Sequence, residues 1–92
     1  MANDYARHDV IEIAERVIDD VVATMKGDIE VRVVYARVRG LFTRNHQGAW
    51  FDKHFSKSGW EVMIIIRLIH HDYRSYANDH NRFYPAPVGA RK

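Results

Sequence analysis

The sequence predicts a mostly α-helical single domain spanning residues 1–92, with about three helices over residues 4–26, 29–44 and 59–79. Three observations carry that prediction. Apolar residues recur at helical spacing through the first third of the chain, a second stripe continues without a slip from Val31 to Phe42, and a capping signal opens the third stretch. The rival reading is an α+β fold with a small antiparallel sheet built from residues 29–42, 49–55 and 60–70.

In the first helix, Asn3 or Asp4 can cap the start and Gly27 can end it. Val10, Ile13, Ala14, Val17, Ile18, Val21, Val22 and Met25 fall on one broad face, with Asp9, Glu12, Glu15, Arg16 and Asp19 opposite. Glu12 and Arg16 are four apart in the favourable order, whereas Glu15 and Asp19 repel across the same spacing. Isoleucine and valine, which lean toward strands, crowd this helix, so periodicity is the better guide in this chain than propensity.

The segment from Ile29 to Arg44 shows why that matters. Strand-like alternation holds for Ile29, Val31, Val33 and Tyr35 and then fails at Arg37. Read as a helix, the segment places Val31, Val34, Tyr35, Val38, Leu41 and Phe42 on one stripe. Its other side mixes Arg32, Arg37 and Arg39 with Ile29, Val33, Ala36 and Gly40, and that excess of apolar positions leaves room for a homodimer. Residues 44–48 read as a turn, and 49–55 form a short aromatic segment. Ser58 and Glu61 have the spacing of a capping box for the third helix, whose stripe would be Val62, Ile65, Ile66, Ile69, Tyr73 and Tyr76. From residue 83 onward, Pro85 and Pro87 predict an extended C-terminal strap with Phe83 and Tyr84 packed back on the core.

Composition narrows the function classes. A 92-residue chain that is 47% hydrophobic and lacks cysteine is expected to fold around one core in a reducing, cytoplasmic setting, without disulfides. The N-terminus is charged too early for a signal peptide, and the longest apolar run, Val62 to Ile66, is far shorter than a membrane span. Charge is segregated: residues 1–30 carry a net −5, residues 31–58 a net +5 and residues 59–92 a net +2. Either the acidic helix lies beside the basic one and their fields partly cancel, or two faces of opposite sign are free to meet partners.

Enzyme chemistry finds no foothold. Six histidines are present, yet no pair has the spacing of a helical zinc motif, and His71-Asp72 alone spells only a fragment of a hydrolase dyad. The serines lie in turns or lack a nucleophile elbow, and no glycine-rich phosphate loop exists. The expectation is a non-enzymatic binding protein without cofactor or metal.

The basic surface is the leading candidate site. Arg32 and Arg39 are seven apart on one ridge, and Ala36 and Gly40 leave a shallow groove beside them. Arg37, Arg44, Lys53 and Lys57 extend the charge, and Trp50 is interleaved with it as a stacking platform for bases. The plainer reading packs a neighbouring helix onto Ala36 and Gly40 and uses Trp50, Phe51 and Phe55 to close the core. The alternative protein-binding face comprises Glu12, Glu15, Asp19, Tyr73 and Tyr76, the last two in a tyrosine-rich end suited to interfaces. In its small size, lack of motifs and crowded charges the chain resembles the small inhibitors that phages and mobile elements make against host machinery. That resemblance implies an inhibitor or adaptor docking on a host protein complex. The expected partner is a nucleic acid or a nucleoprotein, with a host protein as the alternative and no membrane.

Overall fold

The computed structural model describes residues 7–86, so the caps at Asn3 or Asp4 and the strap beyond Ala86 lie outside the described residues. Helix α1 (Arg7–Ala23) is followed by a two-residue strand β1 (Ile29–Glu30) and helix α2 (Val31–Arg44). Next come helices α3 (Gly48–His54) and α4 (Lys57–His70), then a hairpin of β2 (Tyr73–Tyr76) and β3 (Asp79–Pro85). The mostly α class holds, accompanied by a small antiparallel sheet. Of the segments that the α+β alternative assigned to strands, only residues 29–30 form a strand.

Each helix buries a stripe at helical spacing. From α1 come Val10, Ala14, Ile18, Val21 and Val22, and from α2 come Val31, Val34, Val38 and Phe42. Phe51 of α3 and Trp60, Ile64 and Leu68 of α4 complete the helical core. Helix α2 is central, packing against α1, α3 and α4. The sheet order is β1-β3-β2, with Ile29 opposite Phe83 and Ser75 also opposite Phe83. Ile29 and Phe83 are buried, so this pair joins the sheet to the helical core.

The third predicted helix required three corrections. Its cap is Ser56 and not Ser58: the Ser56 hydroxyl accepts from Gly59 N–H at 3.0 Å, and the helix begins at Lys57. It faces the core with Trp60, Ile64 and Leu68, so of the predicted inward stripe Val62, Ile66 and Ile69 are exposed, while Ile65 and Tyr73 are half-buried against the core. The run Ile64-Ile65-Ile66 makes both sides of this helix apolar, and tertiary partners choose between them. Trp60 donates its indole N–H to the Phe51 carbonyl at 3.0 Å, and Arg67 binds Asp19 across the α1–α4 contact. Finally, the helix ends at His70, short of the predicted residue 79. Asp72 takes φ +67°, a left-handed conformation that aspartate tolerates better than most residues, and the tyrosine-rich run then continues as strand.

Candidate functional site

The outward side of α2 is not covered by the other described residues. Ala36 is exposed and Gly40 half-buried, and a Cβ built on Gly40 would meet only the Arg44 guanidinium, at 3.5 Å. The small residues therefore do not receive a neighbouring helix; they form the floor of a notch. On one side a groove of about 980 Å³ runs between α1 and α2, walled by Val21, Val33 and Leu41 and bordered by Arg32, Arg37 and Arg44, with Asp20 on the α1 side. On the other, a shallower hollow of about 570 Å³ is bordered by Tyr35, Arg39, Thr43 and Arg44. Ala36, Gly40 and Arg44 belong to both.

Four of the predicted arginines thus surround one notch. The side chains of Arg37, Arg39 and Arg44 are exposed, and their guanidinium groups engage no described residue in a hydrogen bond or ion pair. Arg32 differs: its Nε donates to Glu30 at 2.7 Å, and Glu30 also binds Arg82 at 3.1 Å. With its side chain 80% exposed, Arg32 remains able to turn outward. The threonine hydroxyls lining the notch are already engaged, Thr43 donating to the Arg39 carbonyl at 2.9 Å and Thr24 to the Val21 carbonyl at 2.7 Å. What the notch offers a ligand is guanidinium donors over an apolar floor, with Asp20 as its carboxylate.

The remaining predicted residues are distributed around it. The Lys57 ammonium lies 5.7 Å from the centre of the Tyr35 ring, which extends the positive surface onto the first turn of α4. Lys53 is exposed on α3 and does not border the notch. Trp50 is half-buried, stacked on Phe42 with centroids 5.2 Å apart and planes 7° from parallel, and tilted against His54. One indole face is therefore occupied by the core, in line with the reading that these aromatics close it. Sequence reasoning missed the apolar wall, although Val33 standing opposite the core stripe was its signal.

The acidic face is largely engaged inside the fold. Asp19 accepts two hydrogen bonds from Arg67, each 2.9 Å, and lies 3.0 Å from His71 Nε2. Glu15 is 4.0 Å from the same guanidinium. Burial raises the Asp19 pKa, but hydrogen bonds and charges from Arg67 and His71 together outweigh it, leaving the carboxyl below its ordinary value. Glu12 stays exposed. Tyr73 packs against the core, and the Tyr76 hydroxyl donates to Asp28 at 2.5 Å. Among the described residues no three histidine, aspartate or glutamate side chains gather as a metal site, and no helix is long and apolar enough to cross a membrane.

No protein-family model matches the chain, and neither a curated protein nor a solved structure is significantly similar to it.

Proposed function

We propose that the protein is a non-enzymatic binding protein that holds the phosphate backbone of a nucleic acid against the outward side of α2. The observation that supports this best is the set Arg37, Arg39 and Arg44, three exposed guanidinium groups without partners among the described residues, around a floor of Ala36 and Gly40. A guanidinium grips phosphate oxygens through paired N–H donors, and small floor residues let a backbone approach closely. Residues seven apart on a helix, such as Arg37 and Arg44, are separated by about 10 Å, enough to meet different phosphates. Lys57 and Arg32 supply further positive charge at the edges.

Fluorescence anisotropy with labelled duplex DNA, single-stranded DNA and RNA across a salt series tests the reading. Binding should weaken linearly on a log–log plot against salt. Arg37→Ala combined with Arg44→Ala should weaken binding to every sequence and lower the slope by about 2, since each phosphate contact contributes about 0.9. An unchanged slope would remove this surface from consideration.

A second reading has its own support in the apolar wall of Val21, Val33 and Leu41. A phage-type inhibitor or adaptor could lay an acidic amphipathic helix of a host protein in that groove, apolar side on the wall and carboxylates on the arginines. Val33→Lys separates the two: it should abolish docking of such a helix and preserve or strengthen binding of a polyanion.

A further inference from the structure

We infer that the outward side of α4 is a homodimer interface in which two copies of α4 lie antiparallel across a two-fold axis. Val62, Ile66 and Ile69 are 54, 46 and 58% exposed and fall at successive turns of one helix side. Monomers seldom leave so continuous an apolar stripe in water. The stripe does not stand alone. Ile69 and its half-buried neighbour Ile65 also line a hollow of about 900 Å³, whose far wall is the hairpin, with Tyr73, Phe83 and Tyr84.

Ridge and hollow lie side by side and share Ile69. A two-fold axis that lies in the interface, perpendicular to α4, sets ridge against ridge and brings the N-terminal flank of each α4 over the other copy's hollow. The ridge alone is smaller than the roughly 800 Å² per partner of a standard interface, and the hollow supplies the additional area.

Charge favours the antiparallel arrangement with a second copy. Glu61 precedes the stripe, one turn before Ile65 and on the hollow side of α4, whereas Arg74 lines the hollow beyond the helix end. Neither side chain has a hydrogen-bond or ion-pair partner among the described residues. The two-fold operation brings like flanks together with opposite ends facing, so Glu61 of each copy approaches Arg74 of the other. This surface lies on the side of α4 that faces away from the core, as the arginine notch lies on the outward side of α2. The hollow shares no lining residue with the notch.

Sedimentation equilibrium of the full chain without nucleic acid tests the interface. The expected mass is twice the 10.8 kDa of one chain. Ile66→Glu, a change at an exposed helical position, should yield a monomer with unchanged far-UV circular dichroism. Glu61→Arg should weaken dimerisation at least tenfold, and adding Arg74→Glu should restore it. A wild-type chain that stays monomeric at several hundred micromolar overturns the proposal, as does an Ile66→Glu chain that dimerises as tightly as wild type. Failure of the double charge reversal to restore affinity overturns the antiparallel arrangement.

Discussion

Arg67 of α4 grips Asp19 of α1 through two parallel hydrogen bonds, Nε to one carboxylate oxygen and Nη2 to the other, both 2.9 Å. This fork explains how α1 carries Glu15 and Asp19 one turn apart: both carboxylates face a guanidinium on the adjacent helix. The side chains are 20% and 29% exposed, so water screens the pair only in part. Arg67→Met, which keeps the stem and removes the charge, should therefore cost about 1–2 kcal/mol at neutral pH.

That cost should depend on pH in one direction. The Asp19 pKa in the folded chain is held below the ordinary value of 3.8, so its ionised form contributes stability that is fully present above 3.8. The contribution disappears as pH falls through the depressed value. Urea melts of wild type and Arg67→Met should differ most at pH 7 and converge toward pH 3. A gap of equal size at both pH values would mean that the cost does not come from pairing with the ionised Asp19 carboxylate.

Gly27 and Gly40 should respond to alanine with opposite signs. Gly27 has φ +70° and open space around the Cβ position, so Gly27→Ala meets a purely backbone penalty of about 1–2 kcal/mol. Gly40 lies inside α2 with ordinary helical geometry and only the mobile Arg44 end nearby. Gly40→Ala should stabilise by up to about 1 kcal/mol through helix propensity. Denaturant midpoints of the two variants, one lower and one higher than wild type, check both statements together.

The same local logic marks where the sequence was legible. In α1 and α2 only one side of the helix is continuously apolar, and the predicted stripes are the buried ones, save that Ile13 is exposed and Val17, Met25, Tyr35 and Leu41 are half-buried. In α4 three successive isoleucines made two sides equivalent, and the choice rests on Trp60 and Arg67, whose partners lie 9 and 48 residues away. No helical periodicity encodes such contacts. The hairpin was missed for a related reason: Tyr73 and Tyr76 fit helical spacing, while the turn at Asp72 depends on a left-handed residue that is not glycine. The four arginines of the notch were legible because α2 was, yet Trp50 could not be assigned until Phe42 was seen stacked on it.

Trp60 ties α4 to α3 by stacking and by hydrogen bonding. Its ring lies 4.3 Å from Phe51, nearly parallel, and its N–H satisfies the Phe51 carbonyl within the core. Trp60→Phe leaves that carbonyl without its donor and a void beside it, a loss of about 2–4 kcal/mol. The variant retains Trp50, which is half-buried, so the folded protein's emission should move to longer wavelength. Equilibrium unfolding followed by circular dichroism gives the energy, and the emission maximum gives the environment.

Tyr76 and Asp28 fasten the hairpin to the turn between α1 and β1. The bond to the Asp28 carboxylate raises the Tyr76 pKa above the ordinary 10.0, with burial and the Asp28 charge adding in the same direction. The neutral phenol is the bonded form, so its stabilising contribution is present below pH 10 and lost as pH rises through the raised value. Absorbance titration should show a tyrosine step above the ordinary value, and Tyr76→Phe should delete that late step. Amide exchange in β2 should accelerate in the same variant at neutral pH, because the bond is then already absent. If the late step survives the substitution, another tyrosine carries it and Asp28 does not hold the hairpin.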